Sequence, residues 1–137
     1  MQNKVQQRNV IPATAIALAA TLTSAIHTAT WGKGIRFFIT VAAATAGGGT
    51  DTFFLCAVPP GSTTPVLLVG FADVNSLSVA GVYVADFYPG AWLPPAVAAG
   101  SALLGAAGID LPLQWAVQII MGAGNAATVT VDAVTLP

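Results

Sequence analysis

Any reaction centre in this chain has to be built from one histidine, one cysteine and five aspartates, because it contains no glutamate. A zinc site needs three or four His, Cys or Asp groups brought together. His27 and Cys56 are single and about thirty residues apart, so His27 reads as an ordinary strand residue. Ser24, His27 and Asp51 supply the residue types of a nucleophilic triad. No Gly-x-Ser-x-Gly elbow accompanies them to present the serine. Glycoside hydrolysis needs two carboxylates in one cleft, whereas Asp51, Asp73, Asp86, Asp110 and Asp132 fall at turns and strand ends. Gly47-Gly48-Gly49 lacks the Lys and Ser/Thr that make a glycine loop a phosphate cradle. Asp51, Asp73 and Asp110 fall at loops, where they could converge with carbonyl oxygens on calcium. The dense Asp/Asn/Gly pattern of a calcium loop is missing around them. Cys56 lies inside Phe53-Phe54-Leu55-Cys56-Ala57-Val58 and reads as a small packed hydrophobe, with no base near it in sequence. We therefore expect no enzyme, no metal and no cofactor.

Aromatic residues suggest a second class of function. Trp31, Trp92, Tyr83 and Tyr88 could stack on sugar rings, as in lectin-type sandwiches. Most of the aromatics fall within apolar strands, which favours core or interface packing.

Charge is the stronger signal. Only 7% of the 137 residues are charged and 55% are hydrophobic, against about a quarter charged in ordinary soluble domains. A monomer this poor in charge needs much of its surface covered. The four basic residues, Lys4, Arg8, Lys33 and Arg36, all lie in the first 36 positions, and every acid follows them. Either this is the chance placement of few charges, or a basic N-terminal arm lies on an acidic body or neighbour. With a formal net charge of −1 the chain has no basic face for nucleic acid. Lys4 and Arg8 followed by Val10 to Ala29 faintly resemble a signal peptide, which would make a secreted or membrane-associated protein a third reading, but Pro12, Thr14, Thr21, Thr23, Ser24 and His27 interrupt the stretch, so no cleavage is expected. Ala96 to Ile109 is apolar but shorter than a membrane span.

These residues are carried by a pattern of short strands and turns. Residues 1–12 are polar and read as an arm, disordered until it docks. Residues 14–30 are rich in Ala and Thr and read as one long strand, although the spacing of Leu18, Leu22 and Ile26 also permits a helix. Ile35 to Val41 alternates, with Phe37, Ile39 and Val41 on one face. Strands follow over 52–58, Pro65 to Ala72 and Gly81 to Tyr88, with Pro59-Pro60-Gly61-Ser62 as a turn. The stretch 89–111 reads as a long loop, either a short helix over 96–104 plugging one end or an apolar contact loop for a neighbour. Trp115, Val117 and Ile119 then alternate with Gln114 and Gln118, and a turn at Gly122 to Asn125 leads into Ala126 to Leu136. The whole predicts one all-β domain over 13–137, an antiparallel β-sandwich or jelly roll of about seven or eight strands.

This layout resembles the small β-sandwich head-decoration, or cement, proteins of tailed bacteriophages. The likeness rests on three features. The first is a polar arm and Ala/Thr-rich strand leading to Gly32-Lys33-Gly34-Ile35-Arg36-Phe37. The second is the Phe87-Tyr88-Pro89-Gly90 corner before a long loop. The third is the Leu111 to Val117 strand paired with a terminal Thr/Val strand. The resemblance implies a structural virion protein, made in the host cytoplasm and bound to the capsid exterior. Its partners would be the major capsid protein and itself, as a homo-oligomer such as a trimer at a local symmetry axis. It implies no membrane, nucleic acid or small-molecule partner, and a tail position is a variant of the same reading. The expected contact residues are Lys4 and Arg8 on the arm, with Trp92, Leu103, Leu104 and Ile109 in the apolar loop. A carbohydrate-binding sandwich is the alternative.

Overall fold

The computed structural model describes residues 7–28, 34–74, 76–88, 101–108 and 113–136, with backbone alone for 7–8, 72–74, 76, 88, 101–108 and 136. Ten strands form: β1 Gln7–Ile16, β2 Thr21–Thr23, β3 His27–Thr28, β4 Gly34–Thr45, β5 Thr50–Ala57, β6 Val66–Val74, β7 Gly81–Tyr88, β8 Ser101–Gly108, β9 Gln114–Ile120 and β10 Ala126–Leu136. A 3-10 turn, Ser76–Ser78, precedes β7. One sheet has the order β1-β10-β4-β7-β8, and the second has β2-β9-β5-β6 with β3 also paired to β9.

The expected all-β sandwich is present. Its connections β1→β2, β4→β5, β6→β7 and β9→β10 each pass from one sheet to the other. That wrapping of four strands on four is a jelly roll, to which β8 adds a strand beside β7. Every pairing is antiparallel except β7 with β8, which is parallel.

Alternating side chains build the core between the sheets. Phe37, Ile39, Val41, Tyr83, Ala85, Phe87, Val129, Val131 and Ala133 face inward from the first sheet. Phe53, Leu55, Trp115, Val117 and Ile119 meet them from the second. Phe37 is central, with ring centroids 5.4 Å from Phe53 and 5.6 Å from both Phe87 and Trp115, in tilted or edge-on contact. Such geometry suits the ring quadrupole and adds to the burial itself.

Three expectations change. The strand foreseen over 14–30 is three pieces. A turn closed by Ala20 N–H to the Ala17 carbonyl (3.1 Å) ends β1 and hands the chain to β2 in the other sheet. Ile16 and Leu22 thus reach the core from opposite layers. The polar segment expected to form an arm to residue 12 enters the sheet at Gln7, and Val10 and Ile11 are buried. Pro12 does not stop β1, because β1 is an edge strand and its pairing with β10 shifts register on both sides of Ile11. In the expected 89–111 loop, Ser101–Gly108 is a strand rather than a helix or coil. Residues 89–100 and 109–112 lie outside the described residues.

The sheet-crossing turns are fastened by Asn125, which is fully buried. Its Oδ1 accepts from Gly47 N–H (2.6 Å), and its Nδ2 donates to the Gly49 carbonyl (3.0 Å) and to Asp51 Oδ1 (2.8 Å). Its backbone carbonyl accepts from Ala19 N–H (3.1 Å). Asp51 Oδ1 also accepts from Gly122 N–H (2.9 Å). One side chain thus ties the β4–β5 and β9–β10 turns together, while its main chain holds the β1–β2 turn. The loops can close this far because they lack side chains. A Cβ on Gly47 would lie 2.6 Å from the Gly124 carbonyl oxygen.

Replacing Asn125 by Ala leaves two loop groups without their partner and removes one of the two hydrogen bonds to Asp51 Oδ1. We expect a loss of about 3 kcal/mol in denaturant unfolding. Ala19 sits at φ 55°, where an L side chain is disfavoured. Ala19→Gly should therefore raise stability, by up to about 1 kcal/mol on the same measurement.

Candidate assembly interface

The two side walls of the sandwich are unlike. On one wall the β1–β2 turn links the layers. The edge strands there are guarded, since β1 carries Pro12 and β2 is only three residues long. The other wall is formed by β6 and β8, the terminal strands of the two sheets, which approach each other. β6 runs nine residues and hydrogen-bonds to β5 on one side. Among the described residues no strand pairs with its other side.

The register explains what β6 presents. Leu55 pairs with Val69 and Cys56 with Leu67, so Leu68 is an extra residue bulged out of the ladder. Val66, Leu67 and Leu68 are consequently 53%, 50% and 45% exposed in succession, where a regular half-buried strand would hide every second one. Beyond the bulge the ladder is regular, and the Phe54 ring lies across the Gly70 backbone. Between Asp51 and Asp86 the only charged residue is Asp73, and β8 has none.

The expected contact residues do not form one patch. Leu103 and Leu104 are on β8, Leu103 opposite Val84 and Leu104 at a register shift, so both belong to the β6/β8 wall. Arg8 is on β1, opposite Ala133, at the far edge of the same sheet. Three strands intervene, which sets β1 and β8 about 19 Å apart. Lys4, Trp92 and Ile109 lie outside the described residues. Val66 to Leu68 were not singled out from sequence. The available signal was a V-L-L-V run without polar alternation, which a fully buried strand shares.

The residue types considered for chemistry are employed structurally. Ser24 Oγ accepts from Val117 N–H (3.0 Å) and donates to the Ala25 carbonyl (2.8 Å). His27 stacks on Trp115 at 4.8 Å. Asp51 is bound to Asn125 near the other end of β9, about six residues or 20 Å along the strand, so Ser24, His27 and Asp51 form no triad. Asp73 is the register partner of Asp51, while Asp110 lies outside the described residues. Among the described residues no three His, Cys, Asp or Glu side chains cluster. Tyr83 is buried with its hydroxyl on the Val79 carbonyl (2.7 Å), which removes it from any sugar platform. The other platform residues, Trp31, Trp92 and the Tyr88 side chain, lie outside the described residues.

Two further features carry charge or space. Arg36 and Asp86 face each other across β4 and β7 and pair through two guanidinium nitrogens (Nε–Oδ1 2.7 Å, Nη2–Oδ2 2.8 Å). Asp86 is fully buried and the Arg36 side chain is 16% exposed, so this pair is part of the scaffold. An open depression of about 260 Å³ is lined by small neutral residues, among them Ala15, Ala43, Ala44 and Thr128, with no reactive group. No helix among the described residues is long and apolar enough to cross a membrane.

Burial pushes the Cys56 thiol up from its ordinary value, which holds it protonated and unreactive. A thiol reagent at pH 8 should label the native protein only at the rate of unfolding, and label the denatured chain at once. The time course of modification with and without denaturant checks this.

No family model matches the chain, and no curated protein is significantly similar to it.

Proposed function

We propose that this protein is a structural assembly subunit that decorates and reinforces the outside of a bacteriophage head. The observation that carries the assembly reading is the β6 edge. It is nine residues long, with three consecutive exposed apolar side chains, in a stretch holding a single charge. An edge of that kind invites strand pairing or apolar cover, and soluble monomers usually block it. The phage setting rests on the sequence resemblance described above, and the jelly roll is compatible with it, since that architecture recurs in viral capsid proteins. The same fold also serves lectins and cupins, so the fold by itself does not select the function.

On this reading the chemistry is interfacial. Each 100 Å² of apolar surface covered contributes about 2.5 kcal/mol before the costs of association. On a lattice, many identical modest contacts add up through repetition. The partners are the major capsid protein and further copies of the chain, and no catalytic step, metal or cofactor is involved.

Co-sedimentation with expanded phage heads tests the proposal. Binding should saturate at a fixed number of copies per capsid protein, and bound heads should withstand heating or chelation better than bare ones. Failure to bind heads, together with specific retention on a glycan array, would replace this reading with a carbohydrate-binding one.

A further inference from the structure

Building on the assembly reading, we propose that the β6/β8 wall seats a second copy of this chain, with β6 running antiparallel to its own copy about a two-fold axis. The occupant follows from charge, geometry and area.

Charge comes first. The wall has no lysine or arginine on either strand, and its one charged position, Asp73, stands near the end of β6. A partner chosen by charge finds little to grip. A second copy brings an equally uncharged edge, and antiparallel self-pairing needs no separate complementary sequence. Any such register centred between Leu67 and Gly70 keeps the two Asp73 positions about 20 Å apart or more. Like charges are then not opposed, which is the usual penalty at a cross-strand pair.

Geometry agrees. Both layers end on the same side, so a two-fold axis perpendicular to the sheets continues both at once, β6 on β6 and β8 on β8. The second sheet then becomes one eight-stranded path running from β2 to β2 of the other copy. The main-chain groups on the free side of β6 gain partners, while Val66, Leu67 and Leu68 gain apolar cover.

Area is adequate. Nine residues of strand span about 30 Å, and two sheets with their side chains are about 20 Å deep, giving a footprint of about 600 Å² per copy. That approaches the roughly 800 Å² per partner of a standard stable interface. The opposite wall, with Pro12 and the three-residue β2, offers no comparable pair of edges.

Sedimentation velocity on the full chain over a concentration series tests this. Wild type should show a monomer–dimer equilibrium. Leu67→Glu and Leu67→Asp, placed at a half-exposed position, should each weaken the dimer at least ten-fold, because in every such register the new carboxylate comes near its own copy or the partner's Asp73. Thr21→Glu, at an exposed position of β2 on the opposite wall, should leave it unchanged. Thermal melts followed by circular dichroism verify that each variant is folded. A wild type that stays monomeric at high micromolar concentration overturns the proposal, whether or not the Leu67 variants fold. So does a dimer that survives both Leu67 substitutions or dissociates with Thr21→Glu. Head binding by a strictly monomeric wild type would overturn self-pairing alone and leave the assembly reading standing. Loss of head binding with an intact dimer would do the reverse.

Discussion

The Asn125–Asp51 contact is the constraint on which the rest of the molecule depends. A jelly roll passes its chain from sheet to sheet at the ends of the strands, and those crossings leave main-chain groups without ladder partners. Here Asn125 uses both ends of its amide to bind the β4–β5 loop and Asp51, while its backbone carbonyl binds the β1–β2 turn. Asp51 in turn holds the β9–β10 turn. Both side chains are essentially inaccessible to water, so each hydrogen bond is costly to leave unmade. The glycines around them are the steric condition for that closure, because the loops meet backbone to backbone.

Fixing the crossings also distributes the sandwich's edges. The β1–β2 turn closes one wall at its end, and β6 with β8 is left as the other. Among the described side chains, charge is largely spent indoors. Asp51 and Asp86 are buried, and Arg36 is committed to Asp86. Asp132 accepts from Asn9 Nδ2 at 3.0 Å, which ties β1 to β10. The described surface is therefore poorer in charge than these residues alone imply. This is the physical link between the fold and the proposed role: polar groups hold the sandwich shut, and the long free edge is left with apolar side chains.

Strands with strict alternation were legible in the sequence. The facing of Phe37, Ile39 and Val41 on β4, and of Trp115, Val117 and Ile119 on β9, stands in the core as the period-2 pattern predicts. The first thirty residues were not legible, because alanine and threonine alternate too weakly to mark where a strand changes sheet. Pro12 also looked like a boundary, and only its edge position makes it tolerable. β8 was hidden by its Ser-Ala-Leu-Leu-Gly-Ala-Ala-Gly composition, which has little β preference of its own and is held as a strand by pairing with β7. Asn125 read simply as a turn residue, since its partners at Gly47, Gly49 and Asp51 are more than seventy positions away. The Arg36–Asp86 pair was invisible because its members stand 50 positions apart. What the β6 edge exposes was not legible. Apolar content pointed to Leu103 and Leu104, while the exposure of Val66 to Leu68 depends on a bulge that only the β5–β6 register reveals.

The central claim is that the β6 edge is covered when the protein is at work. Amide hydrogen exchange, compared between the dilute free chain and the chain assembled on its target, measures that cover directly. The account predicts that the amides of Val66–Val74 that face away from β5 exchange rapidly in the free protein and become protected on assembly, with little change along β1. Unchanged exchange in β6, with protection appearing along β1 instead, would contradict it.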